Sequence, residues 1–178
     1  RSFSIILEVA VFNIEASLLA SSLGADRIEL CENRPLGGVT PEFSLLGNIR
    51  NEVDIPLIIM IRPRGGTFDY SEIEFEKMKQ SIRLAKEMQM NGVVFGILTS
   101  DNKVDQHRNG ILRDLAHPMQ ACFHRAFDQI QDYNVNTGRS ESLESIIQLG
   151  VDRVLTSGQS PNALVGKDIL KILYIQAD

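Results

Sequence analysis

Apolar runs rich in Val and Ile occupy residues 5–11, 27–31, 55–62, 92–98, 120–124 and 151–156, and segments with apolar residues at helical spacing fill the intervals. The run starts lie about thirty residues apart, enough for one strand and one crossover helix, so the pattern predicts six parallel strands covered by helices. The helical segments carry their own end signals. Ser71 with Glu74 makes a capping box ahead of Phe75, Met78, Ile82 and Ala85, and Asn91-Gly92 stops that run. Thr40-Pro41 reads as the N-cap and first turn of the preceding crossover helix, while Gly24 and Gly150 read as helix stops. Those two glycines also open a short repeat, Gly24-Ala25-Asp26-Arg27-Ile28 and Gly150-Val151-Asp152-Arg153-Val154, at matching helix-to-strand junctions.

Composition narrows this picture. With 178 residues and 43% apolar content, the chain can bury one sizeable core, and no Pro/Ser-rich linker or low-complexity segment divides it; residues 1–178 are therefore expected to form a single α/β domain. Eighteen basic against 23 acidic side chains give a net charge of −5 without any Lys/Arg cluster, so nucleic acid is not an expected partner. The apolar runs are strand-sized, well short of the ~20 residues of a membrane helix, and a secretory signal is missing, so no membrane partner is expected either. Cys31 and Cys122 are too few for a disulfide framework and fit a reducing cytoplasm.

Strands buried on both faces are almost wholly apolar, which makes their charged residues informative. Glu8 interrupts the first run, Glu29 stands inside the second, Arg62 ends the third, and His124, Arg125 and Asp128 follow the fifth. A lone carboxylate in such a strand raises its own pKa or demands a partner. If the strands curl into a barrel, inward side chains converge, and Glu8, Glu29, Arg62 and His124 are expected to form one acid/base cluster with catalytic capacity. The alternative is a buried ion pair of Arg62 with Glu8 or Glu29 that only fixes strand register.

The segment Arg62-Pro63-Arg64-Gly65-Gly66 places two guanidinium groups and two flexible glycines at a strand end, which suits an anionic or carbonyl-bearing ligand. Arg64, Gly65 and Gly66 are thus candidate ligand-binding residues, with Arg125, Asp128 and Ser157 on neighbouring loops of the same face. Gly37-Gly38-Val39-Thr40-Pro41 forms another such loop. Cys31 shares the strand phase of Glu29, and a thiolate there, stabilised beside Arg62, would bind a soft metal.

The segments Gly24 to Cys31, Gly37 to Pro41, Ile61 to Gly66, Phe123-His124-Arg125-Ala126-Phe127-Asp128 and Val154 to Gly158 together resemble the CutC copper homeostasis family, in family order and spacing. The resemblance implies a TIM-type β/α barrel, a cytoplasmic location, a role in copper handling and self-association into a homo-oligomer. It also implies a copper-binding cysteine pair on the first two strands; Cys31 matches the second, whereas Ala10 stands in place of the first. A TIM barrel usually has eight strands in about 250 residues, so the six βα units counted here are expected to be an incomplete barrel lacking the family's last two strands.

These features leave two principal functions. One is copper homeostasis with Cu(I) bound at Cys31. The other is a barrel enzyme acting on a small anionic or carbonyl substrate, with Glu8 or Glu29 as base, His124 as acid, and Arg62 or Arg64 holding the anion. A non-catalytic scaffold, the further possibility, predicts an exposed apolar patch and no organised polar mouth.

Overall fold

The computed structural model describes residues 5–177 apart from Asn48 and Val135, with Leu45 described by its backbone alone. The outermost ends of the expected domain therefore lie outside the described residues. Six parallel strands, β1 (Glu8–Val11), β2 (Arg27–Leu30), β3 (Leu57–Met60), β4 (Gly92–Phe95), β5 (Gln120–Phe123) and β6 (Arg153–Val154), pair in chain order as one curled sheet. Every predicted strand is present and each is shorter than its apolar run, because the run ends bend away into loops. Crossovers are provided by α1 (Ile14–Ser22), the short α2 (Phe43–Leu46) and α3 (Ile49–Glu52), α4 (Glu72–Glu87), α5 (Gln106–Ala116) and α6 (Glu141–Gln148), and α7 (Lys167–Ala177) follows β6. The result is an α/β architecture of TIM type, an incomplete barrel open between β1 and β6.

Strand alternation divides the side chains into two sets. Ile28, Leu30, Leu57, Ile59, Ile61, Val93, Phe95 and Ile97 face outward and join Phe75, Met78, Ile82, Leu112 and Ala116 of the helices in the main core, nearly all of it inaccessible to solvent. The other set faces the concave side and includes the polar residues singled out above.

Local sequence explains the element ends. The Ser71/Glu74 capping box forms, and Tyr70 and Phe75 flank it as a buried apolar staple. Gly24 and Gly150 adopt φ of +92° and +69° just after α1 and α6, as helix stops require. Thr40 departs from expectation. Its hydroxyl accepts from the Arg62 backbone N–H at 2.7 Å, and α2 begins only after Glu42; the partner at the end of β3 claims Thr40 before a helix can.

The repeated Gly-x-Asp-Arg segment is a strand-start clip. Asp26 accepts from the Leu7 N–H at 2.7 Å and Asp152 from the Ala121 N–H at 2.8 Å, each tying the new strand to its neighbour. Asn91 does the same to the Leu57 N–H at 2.9 Å.

Apolar grooves run along both open edges of the sheet. One, of about 890 Å³, is lined by Leu7, Val9, Val11, Leu19 and Leu23 beside β1. The other, of about 460 Å³, is lined by Phe127, Ile146, Val151 and Leu173 beside β6.

Asn109 supports the loop after β4 from within α5. Fully buried, it accepts from the Ile97 N–H at 3.0 Å and donates to the Ile97 and Asp105 carbonyls, both at 2.8 Å. Asn109→Ala leaves the Ile97 N–H unpaired, and urea unfolding should show a loss of about 2 kcal/mol or more.

Candidate functional site

The concave side of the sheet is zoned along the strand direction. Near the strand starts, Glu8 pairs with Arg27, Arg153 donates to Gln120 at 2.7 Å, and the buried Glu29 carboxylate feels the charges of Glu8, Arg153 and Arg27. Burial pushes Glu29 above the ordinary carboxylate range, against the hydrogen bond it accepts from the Cys31 thiol at 3.3 Å. Next comes an apolar layer in which Cys31, Ile58, Met60, Val94 and Cys122 pack together. Arg62 and His124 lie beyond this layer, past the C-terminal ends of β3 and β5.

The expected single cluster of four is therefore two clusters. Glu8 and Glu29 belong with Arg27 and Arg153, not with Arg62 and His124, because two residues of strand advance separate Glu29 from Cys31, and Met60 from Arg62. The alternative ion pair fails for the same reason, since Glu8 takes Arg27 as its partner. Nor is Cys31 a thiolate stabilised by Arg62. Burial and the neighbouring Glu29 carboxylate push its thiol well above the ordinary value.

Arg62 is 7% exposed and its guanidinium is held by backbone carbonyls: Nη1 donates to Leu36 at 2.9 Å and Gly38 at 3.2 Å, and Nη2 to Gly66 at 2.9 Å. Its Nε has no hydrogen-bond partner among the described residues. The guanidinium lies 4.7 Å from the Phe68 ring centroid, and the same ring sits 5.0 Å from the imidazole of His124. His124 Nδ1 accepts from the Ala126 N–H at 3.2 Å, which places the imidazole proton on Nε2, and Nε2 is buried without a partner. Gly96 makes room for this ring, as a Cβ there would lie 2.6 Å from Nδ1. Burial first, and the Arg62 charge second, lower the His124 pKa to about 3.

The remaining predicted residues fasten loops. Arg64 donates to Glu74 at 2.6 Å, to the Thr67 carbonyl at 2.9 Å and to the Asp69 carbonyl at 2.7 Å, so it braces the 64–74 segment. Gly66 and Gly65 turn their carbonyls toward Arg62 and Arg64, accepting at 2.9 and 3.2 Å. Asp128 accepts from Arg125 at 2.8 Å, from the Ser157 N–H and hydroxyl at 3.0 Å, and from the Gln159 N–H at 3.0 Å. Burial alone would raise its pKa, but bonds from Thr156, Arg125 and Ser157 outweigh that and hold it low. Arg125, Asp128 and Ser157 thus clamp the loops after β5 and β6 to each other.

Tyr70 and Phe68 were not singled out from the sequence. Tyr70 is 6% exposed; burial raises the pKa of its hydroxyl, against the charge and side-chain hydrogen bonding of the neighbouring Arg62 guanidinium. Its place just before the capping box, four residues ahead of Glu74, was the available signal, since that position carries the staple residue.

The family model described as the CutC family matches residues 5–178. The chain belongs to the CutC family. The CutC relatives include the copper homeostasis protein cutC homolog of Homo sapiens, 43% identical over 97% of this chain and 61% of its own length. The CutC family protein of Proteus mirabilis is 42% identical over 94% of this chain and 64% of its own. The chain thus spans less than two thirds of these relatives. The solved CutC structure from Streptococcus agalactiae superposes with a TM-score of 0.87 at 30% identity, covering 98% of this chain and 83% of that one. A 2,3-dimethylmalate lyase, at 12% identity and a TM-score of 0.61, shares the fold alone.

In this CutC chain His124 stays neutral in the fold from its ordinary value of 6.5 down to about 3, while the unfolded chain takes up that proton near 6.5. The unfolded state therefore binds more protons across that window, and the stability His124 contributes is complete above it and lost progressively as pH falls through it. NMR of ring-labelled histidine should show His124 as the Nε2–H tautomer with no titration until about pH 3; protonation near the ordinary value would contradict the burial described.

Proposed function

We propose that the chain serves copper homeostasis by taking up Cu(I) as cargo, with Cys31 as a thiol ligand. The observation that carries this reading beyond family membership is the buried layer in which Cys31, Cys122 and the thioether of Met60 share one cluster. Cu(I) is soft and favours such sulfur donors. Among the described residues no group of three or more His, Cys, Asp or Glu side chains is arranged to hold a metal, so a site here would draw on the two thiols with Met60 as a further sulfur donor. The sulfur layer also offers Cys31 alternatives to the cysteine that Ala10 replaces. Both thiols are kept protonated, Cys122 by burial that raises its pKa to about 12, so uptake of Cu(I) would release protons and strengthen as pH rises.

The same reading includes a cytoplasmic location, a single barrel-type domain, and self-association. Among the described residues no helix is long and apolar enough to cross a membrane, and the apolar grooves along β1 and β6 support self-association. No observation favours the barrel-enzyme alternative, since the carboxylates it needs as bases lie in the other polar zone.

Titration of the reduced protein with Cu(I), in competition with a chromophoric chelator, should give stoichiometric binding that Cys31→Ala abolishes and Cys122→Ala weakens. Binding indifferent to Cys31→Ala would contradict the assignment.

A further inference from the structure

The Cys31 side chain borders a cavity of about 270 Å³ enclosed by three chain segments: residues 12–15 after β1, residues 30–32 at the end of β2, and the stretch from Pro41 into α2. At 6% exposure the thiol is nonetheless nearly shut off from solvent, so a side chain must close the way between cavity and sulfur. Phe12 is placed to do so. It packs against the cluster of Cys31, Ile58, Met60, Val94 and Cys122, and it lines both this cavity and the larger groove along β1. The chain fixes the base of the ring and leaves the ring itself unfastened. Phe12 and Asn13 make up the whole connection from β1 to α1, and the Asn13 side chain caps α1 by accepting from the Ala16 N–H at 2.7 Å. A phenyl ring makes no such bond, so packing alone holds it, and Phe12 is only half-buried.

Gly38 stands beside the same sulfur. A Cβ there would lie 3.5 Å from Cys31 Sγ and 3.8 Å from the Phe12 ring, and the φ of +87° favours glycine, so the bare backbone leaves the space of a methyl group next to the thiol. Charge distinguishes the two approaches to the ring. Glu15, Glu32 and Glu42 are exposed on the wall of the smaller cavity, and none of them forms an ion pair among the described residues. Glu32 accepts from the neutral Glu42 N–H and Glu42 from the Ser44 hydroxyl, both at 2.9 Å. The groove along β1 carries Arg34 instead. A cation is therefore drawn to the smaller cavity and repelled from the groove.

We propose that the Phe12 ring gates Cys31, and that small cations reach the thiol through the carboxylate-rimmed cavity between the first two βα units. When the ring turns toward the β1 groove, the cavity and the space beside Gly38 meet at the sulfur; when it returns, the thiol is enclosed. Cu(I) as the entering cation rests on the copper reading above. The gate concerns the thiol alone, so it stands or falls separately.

The test is the rate of thiol modification in the reduced full chain by a cationic and an anionic methanethiosulfonate of similar size, with Cys31 and Cys122 resolved by peptide mass spectrometry. At low ionic strength Cys31 should react about tenfold faster with the cationic reagent, corrected for the two reagents' rates with a free thiol. Glu15→Gln with Glu42→Gln should remove most of that preference. Phe12→Leu should raise the Cys31 rate severalfold with both reagents and leave the Cys122 rate unchanged, which separates an opened gate from a loosened fold. In the same variant Cu(I) uptake followed by stopped flow should be faster. The proposal is overturned if Phe12→Leu leaves the Cys31 rate unchanged, if it raises both cysteine rates alike, or if the anionic reagent reaches Cys31 as fast as the cationic one. Gated thiol reactivity in a chain that binds no Cu(I) would remove the copper reading and uphold the gate.

Discussion

The buried guanidinium of Arg62 is the constraint around which the C-terminal end of the sheet is arranged. It leaves the end of β3, reaches the carbonyls of Leu36 and Gly38 in one loop and of Gly66 in another, and lies against Phe68. Its own backbone N–H and carbonyl are taken by Thr40 at 2.7 and 2.8 Å. Loops that would otherwise move separately share one buried charge. A point charge such as lysine could not hold these directions at once, because the planar fork presents its donors at fixed angles.

That arrangement also explains the zoning of the concave face. His124 stays neutral beside that cation, held so first by burial and second by the Arg62 charge. At the opposite end Glu8 pairs with Arg27, while the buried Glu29 accepts from the Cys31 thiol in the weaker field of Arg153 and Arg27, with the sulfur-bearing layer between the two ends as an apolar spacer. The proposed copper uptake thus belongs to the middle level of the curled sheet, where the soft donors lie, apart from the polar groups at either end.

Much of this was legible in the chain. The apolar runs located every strand, the Ser71/Glu74 pair marked the start of α4, and the exceptional polarity of Glu29, Arg62 and His124 identified residues that are indeed buried. The Gly-x-Asp-Arg repeat pointed to equivalent junctions, and the clips made by Asp26 and Asp152 give its physical reason. What could not be read was depth along each strand. Period-two alternation says that Glu29 and Arg62 face inward, but only the register, pairing Glu29 with Ile58, shows that they do so at different levels. The role of Thr40 was hidden because its partner lies 22 positions away, and helix-start patterns are local. For Arg64, Gly65 and Gly66, sequence records which groups are present at the strand end, and not which carbonyls the arginines meet there.

Hydrogen–deuterium exchange on Arg62→Lys, compared with the unaltered chain, tests the clamp most directly. The account predicts that amides in residues 36–40 and 64–70 lose protection together, while those of β4 and β5 keep theirs. Unchanged protection in both loops, or an equal loss across the whole sheet, would contradict it.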